Sequence, residues 1–301
     1  MEKVIAIVGP TAVGKTKLSI EIAKMLNAEI ISGDAMQIYR GLDIGTAKVT
    51  SKEMEGVVHH LLDEKNPDDS YSVAEFQQTV RSKITEIIDH GKVPIIVGGT
   101  GLYVKAVLYD YEFSDETPPN DFEYTDLTNE EVHGLLQNVD PESASQLHPN
   151  NRRRVVRALN IYRLSEISKT SMLEKQEKRL IYDALIIGLT DEREILYDRI
   201  NKRVDKMMSD GLLQEVDRLY TNNIHKTTQS MQAIGYKELY EYREGNVDLE
   251  TAIELIKRNS RRLAKRQFTW FRNQMPTVWF DIDIENFGQT VSDVMNYINN
   301  N

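Results

Sequence analysis

Eight residues near the N-terminus, Gly9-Pro10-Thr11-Ala12-Val13-Gly14-Lys15-Thr16, combine the types and spacing that hold a phosphate. Gly9 and Gly14 let the backbone curl until its N–H groups point inward. Those donors, the positive end of a following helix and the Lys15 ammonium then converge on phosphate oxygens, while the Thr16 hydroxyl is placed to ligate Mg²⁺. A second chemically active group is Asp34, at the polar end of Glu29-Ile-Ile-Ser-Gly-Asp34, where it can serve as a general base or hold a metal-bound water. The plainer role for Asp34 is to cap the next turn. Gly98-Gly99-Thr100-Gly101 either brings backbone close to a ligand or is a tight turn. His59 and His60 are adjacent, so on a strand they face opposite sides and read as structural residues rather than as a metal pair.

These groups need strands to deliver them. The apolar run Val4 to Val8 predicts a strand entering the phosphate loop, and Leu18, Ile22, Met25 and Leu26 predict the helix leaving it. Glu29 to Asp34 reads as a second strand, His60 to Asp63 as a short one, and Val93 to Gly98 as another buried one. Between the last two, Val73, Phe76, Val80, Ile84 and Ile87 mark a helix that stops near Gly91. Val/Ile-rich strands alternating with helices predict an α/β fold, a P-loop NTPase-like core whose parallel sheet is flanked by helices. Ligands of such sheets sit beyond the carboxyl ends of the strands, where the phosphate loop, Asp34 and Thr100 all fall.

From about Asp110 the pattern breaks. Ser114 to Asn129 is acidic, contains Pro118-Pro119 and reads as a linker. Helical patterns follow at Glu130 to Gln137 and from Arg152 to about Leu173, before Asp183 to Leu189 restores a buried strand. Residues 111–182 therefore read as a helical insertion, with 1–110 and 183–301 forming the core. A last strand is predicted at Val278 to Ile282.

The chain of 301 residues has no cysteine, which excludes disulfide frameworks, zinc fingers and Cys nucleophiles and fits a cytoplasmic protein. With no signal-peptide pattern and no stretch of about 18 apolar residues, neither secretion nor membrane insertion is expected. A net charge of −10 argues against indiscriminate nucleic-acid binding, so local basic faces decide. Arg152-Arg153-Arg154-Val-Val-Arg157 opens a helix, adding the dipole's positive end to its charge. At helical spacing Lys257, Arg258, Arg261, Arg262, Lys265 and Arg266 fill one side, with Ile256, Leu263, Ala264 and Phe271 opposite. Two such faces on an acidic chain point to a polyanionic partner. Arg193, Arg199 and Arg203 follow the strand at 185–189, and at least one is expected to face the crevice and clamp phosphate.

Taken together, these blocks resemble the bacterial-type tRNA dimethylallyltransferases, or tRNA isopentenyltransferases, over nearly the whole length. The blocks are Gly9 to Thr16, Asp34 to Lys48, His59 to Asp63, Gly98 to Tyr103, His148 to Arg154, Gln232 to Lys237 and Lys265 to Arg272. The resemblance implies transfer of a dimethylallyl group from dimethylallyl diphosphate to N6 of adenosine 37, beside the tRNA anticodon, with Mg²⁺. It further implies that Asp34 is the base, that Thr100 touches the target nucleotide, and that Arg203 sits near the diphosphate alongside Lys15 and Thr16. Contacts to the tRNA anticodon stem-loop are implied at Asp34, Ala35, Met36, Gln37, Thr100, Arg153, Arg154, Arg157, Gln232, Gly235, Tyr236, Lys237, Lys265, Arg266 and Arg272. A monomer is expected. Position 35 is Ala where relatives usually carry Ser, so a hydroxyl contact lapses, and no residue between Leu102 and His148 matches an arginine that relatives use on RNA. The phosphate loop also admits ATP or GTP. A P-loop kinase of a small metabolite fits the loop, Asp34 and the arginine-bearing helix, but leaves the basic helix at 257–266 unexplained. A prenyltransferase acting on free adenine nucleotides and an NTP-dependent RNA-binding switch are the other readings.

Overall fold

Side chains along β1 (Lys3–Val8) divide between two cores: Val4, Ala6 and Val8 enter one, Ile5 and Ile7 the other. Period-two alternation on a strand covered on both faces explains why the run is apolar throughout. The computed structural model describes residues 2–111, 113, 124–165 and 179–301. With β2 (Ala28–Ser32), β3 (His59–His60), β4 (Val93–Gly98), β5 (Asp183–Thr190) and β6 (Val278–Asp281), β1 forms a sheet of order β3-β2-β4-β1-β5-β6. Every paired strand is parallel, and Ile5 lies between Ile95 of β4 and Leu185 of β5. The α/β class and parallel sheet expected from the sequence are what the chain adopts.

Between these strands run α1 (Lys15–Leu26), α2 (Ser51–Met54), α3 (Val73–Asp89) and α4 (Gly101–Leu108). Helix α3 begins at a capping box, in which Ser72 and Glu75 each take the other's backbone N–H, and buries Phe76, Val80, Ile84 and Ile87. The chain divides into two compact units, residues 1–109 with 180–301, and 110–179.

The second unit contains α5 (Asn129–Val139), α6 (Pro141–Gln146) and α7 (Arg152–Ser165) around its own core of Tyr124, Val132, Leu136, Val155, Val156 and Leu159. Helix α6 is not legible in the hydrophobic pattern. It is set by Asp140, which accepts the Ser143 N–H at 3.0 Å, with Pro141 in the first turn. The unit ends at Arg179 rather than at 182, because Tyr109 bridges Leu180, Ile181 bonds Leu108 at 3.0 Å and Tyr182 is buried in the main core. Most of the linker read at 114–129 and the predicted helix beyond Ser165 lie outside the described residues.

In the first unit, β5 is followed by α8 (Arg193–Ser209), α9 (Leu212–Thr221), α10 (Tyr236–Arg243) and α11 (Leu249–Gln274), and β6 by α12 (Phe287–Asn300). Helix α12 buries Val291, Val294 and Ile298 beside α1. Helix α11 buries Ala252, Ile256, Ala264 and Phe271 along one stripe. No helix among the described residues is long and apolar enough to cross a membrane.

Candidate active site

The phosphate loop leaves β1 through Gly9, whose φ of +135° belongs to glycine and whose Cβ, were there one, would lie 2.6 Å from the Leu189 carbonyl oxygen. Ala12 also takes a left-handed conformation, with φ +63°, and Gly14, at φ +103°, caps α1. Such alternation turns successive N–H groups toward one concavity. Pro10 and Val13 are buried and anchor the loop, and Thr16 is exposed in the first turn of α1. Lys15 folds back so that its ammonium donates to the carbonyls of Gly9 at 3.0 Å and Pro10 at 2.7 Å.

Burial pushes the Lys15 pKa down to about 7; the nearby Arg203 guanidinium lowers it further and Asp34 opposes the shift. Arg203, on α8, is itself lowered by burial, again opposed by Asp34. The three groups thus act on one another's charge. Arg203 has no hydrogen-bond or ion-pair partner among the described residues, whereas Arg199 pairs with Asp191 and Arg193 lies over the Tyr197 ring at 5.1 Å. Of the three arginines it is Arg203 that enters the site. Two cations facing one carboxylate is an arrangement that a multivalent anion relieves.

Asp34 does cap the turn that follows it: its Oδ1 accepts the Met36 N–H at 2.9 Å. That bond fixes the carboxylate and leaves Oδ2 without a partner among the described residues, so capping and proton transfer are compatible roles. The Ser32 hydroxyl donates to Gln37 Oε1 at 3.1 Å, and Gln37 Nε2 donates to the Thr46 carbonyl at 3.3 Å. Thr100 joins the site from β4: its Oγ1 accepts the Ala35 N–H at 3.3 Å. Ala35 is buried and contributes backbone only. Gly98 lies so close to Gly33 that a Cβ would run into the Gly33 backbone, and this approach brings the Thr100 and Asp34 loops together. The glycines of this loop serve protein packing, since Gly99 faces Gln267 and Gly101 faces Trp270.

The RNA-contact residues expected from the resemblance separate into two groups. Arg153, Arg154 and Arg157 lie at the start of α7 in the second unit, all three exposed; in the first, Gln232, Lys265, Arg266 and Arg272 are the surface candidates and Lys237 is partly exposed. Tyr236 is a correction. Its ring is fully buried and its hydroxyl donates to Glu215 at 2.5 Å, so it braces the carboxylate that holds the 43–45 backbone and offers no surface to RNA. Gly235 is likewise buried; it turns the chain into α10 at φ +103° and gives its N–H to Glu238 at 2.8 Å. The basic face of α11 is narrower than its helical projection. Lys257 is held by Asp205 at 2.8 Å and Glu254 at 3.1 Å, and Arg261 donates to Asn201. Arg258, Arg262, Lys265 and Arg266 reach the surface without an ion-pair partner among the described residues.

His59 and His60 are structural, as expected: His59 Nδ1 bonds the Val57 carbonyl at 3.0 Å and His60 Nε2 meets Glu29 at 2.6 Å. Sequence reasoning missed two residues. Glu215 on α9 accepts the N–H groups of Asp43, Ile44 and Gly45 at 2.9 to 3.1 Å, and Gln267 on α11 reaches the phosphate loop. The available signal was the same for both, a polar residue within an apolar stripe: 215 among Leu212, Val216 and Leu219, and 267 between Ala264 and Phe271.

Comparison with known proteins adds an independent line. The family profile described as IPP transferase matches residues 37–274. The tRNA dimethylallyltransferase of Bacillus cereus (strain B4264) is 56% identical over 305 aligned residues, covering 99% of this chain and 94% of that protein. The tRNA dimethylallyltransferase of Bacillus cytotoxicus is 57% identical, with 99% and 95% covered. Among solved structures, the full-length tRNA isopentenylpyrophosphate transferase of Bacillus halodurans superposes with a TM-score of 0.77 at 48% identity, covering 100% of this chain and 96% of that one. A eukaryotic dimethylallyltransferase solved acting on tRNA gives 0.87 at 31% identity, covering 100% and 79%. The chain belongs to the IPP transferase family.

Proposed function

We infer that the protein transfers a dimethylallyl group from dimethylallyl diphosphate to tRNA, at N6 of adenosine 37 in the anticodon loop, and releases diphosphate. One observation carries the chemistry: Lys15 and Arg203, the cations of an anion site, share an electrostatic neighbourhood with the Asp34 carboxylate. An adenine amino group is a poor nucleophile because its lone pair is delocalised into the ring. An allylic diphosphate ionises readily once its departing charge is stabilised. Lys15, the loop amides and Arg203 take up that charge as the C1–O bond breaks. The N6–C1 bond forms, and Asp34 accepts the N6 proton. Thr100, tied to the backbone beside Asp34, lines the adenine side.

Among the described residues no group of three or more His, Asp or Glu can hold a metal by itself. The Thr16 hydroxyl, exposed in the first turn after the loop, is the group that would hold a Mg²⁺ beside a bound diphosphate. Bound there, Mg²⁺ would neutralise charge on the leaving group. A base in an anticodon loop must leave its stack to enter such a site, at a cost of a few kcal/mol. The unpaired cations of α11 and the Arg153–Arg154–Arg157 face of the inserted unit supply the phosphate contacts that offset it. We take the protein to act as a monomer in the cytoplasm, where its tRNA substrate is found.

Mass analysis of nucleosides from tRNA incubated with the protein and dimethylallyl diphosphate tests this reading. It predicts adenosine carrying one added C5H8 unit. Unmodified tRNA, together with phosphorylation of a small acceptor when ATP is supplied, would favour the kinase reading instead.

A further inference from the structure

Helix α11 carries cations outward and turns the Gln267 amide inward. Gln267 joins two loops far apart in sequence: its Oε1 accepts the Thr11 N–H of the phosphate loop at 2.8 Å, and its Nε2 donates to the Gly99 carbonyl at 3.1 Å. A backbone N–H only donates and a carbonyl only accepts, so the partners fix the orientation of the amide. Glu at this position would lack the donor, Lys the acceptor and Met both. The fit is close, since a Cβ on Gly99 would collide with the Gln267 amide nitrogen. The residue after Gly99 is Thr100, whose Oγ1 holds the N–H of Ala35, next to Asp34. A hydrogen-bonded path therefore runs from the leaving-group loop to the carboxylate, and Gln267 is its first link.

We propose that Gln267 is a positioning residue that sets the separation between the diphosphate loop and Asp34. The proposal rests on the transferase reading above. Reacting atoms must be held about 3–3.5 Å apart and aligned, and a misplacement on the order of 1 Å costs about 10²-fold in rate. Releasing the clasp leaves each substrate its own contacts and removes their alignment.

Two variants test it, Gln267→Met, which keeps length and loses both hydrogen bonds, and Gln267→Glu, which keeps only the acceptor for Thr11. The measurements are kcat with both substrates saturating, Kd for an anticodon stem-loop RNA, Kd for inorganic pyrophosphate, and a thermal melt. In Gln267→Met, kcat should fall about 10- to 100-fold while RNA affinity stays within about threefold of wild type. Gln267→Glu should lose kcat similarly and hold pyrophosphate no more tightly than Gln267→Met, because its carboxylate adds negative charge beside the anion loop. A kcat within about twofold of wild type in either folded variant, or a loss that vanishes at saturating tRNA, overturns the proposal. If Gln267→Met does not fold, Gln267→Glu decides by the same criterion. A wild-type protein that leaves tRNA unmodified would instead overturn the transferase reading, so the two failures are distinguishable.

Discussion

Lys15 and Arg203 place two like charges beside each other, and both are opposed by the single carboxylate of Asp34. The Lys15 ammonium, lowered to about 7 chiefly by burial, loses its proton in the free protein as pH rises above that value. A diphosphate restores the positive form by raising the Lys15 pKa, so binding above pH 7 takes up a proton. Affinity for dimethylallyl diphosphate should fall between about pH 7 and 9 by at most about tenfold per unit. Calorimetry in buffers of different ionisation enthalpy should record uptake approaching one proton, which Lys15→Ala abolishes; proton release on binding would contradict the assignment.

Asp34→Ala should reduce kcat by about 10²–10⁴-fold while keeping most tRNA affinity, as expected for a base used in the chemical step. Steady-state kinetics with tRNA binding measured in parallel separates the two quantities. Unchanged turnover would remove Asp34 from the mechanism.

The corrected basic face makes a sharper prediction than helical spacing does. Replacing Arg262, Lys265 and Arg266 by Glu should weaken tRNA binding and flatten its salt dependence by about 0.7–0.9 in log–log slope for each phosphate no longer neutralised. Lys257→Ala removes a cation already paired with Asp205 and Glu254, so it should leave that slope unaltered. Binding titrations across a range of salt concentrations check both, and equal effects would show that the paired and unpaired cations are equivalent.

Tyr236→Phe should act through stability. The hydroxyl donates to the buried Glu215 carboxylate, which also holds three consecutive backbone N–H groups at 43–45. Losing that bond should cost about 1.5–3 kcal/mol in urea unfolding. The salt slope of tRNA binding should be unaffected; a flattened slope with unchanged stability would restore Tyr236 to the RNA surface.

Features that depend on local pattern are legible in the sequence. The Val4 to Val8 run, the 3.6-residue spacing from Val73 to Ile87 and the glycine spacing of the phosphate loop each encode a backbone shape on their own. The placement of Asp34 follows from a rule about strand ends. What is not legible depends on partners distant in the chain. Charge and spacing place Lys257 and Arg261 with their unpaired neighbours, and only the packing of α8 against α11 supplies Asp205 and Asn201 to neutralise or occupy them. Tyr236 sits in a block that the resemblance assigns to RNA contact, yet its burial follows from how α10 meets α9 and the 43–45 loop. Gln267 and Glu215 look like ordinary polar residues until their stripes are found to face inward.

Central to the proposed chemistry is a single pocket that holds both the leaving group and the extruded adenine. A crystal structure with anticodon stem-loop RNA and a non-reactive thio analogue of dimethylallyl diphosphate measures this directly. The prediction is a diphosphate contacted by Lys15 and Arg203, adenine N6 about 2.6–3.2 Å from an Asp34 oxygen, and the allylic C1 between them, about 3–3.5 Å from N6. A diphosphate seated in the loop with adenine N6 bound out of reach of Asp34 would contradict it.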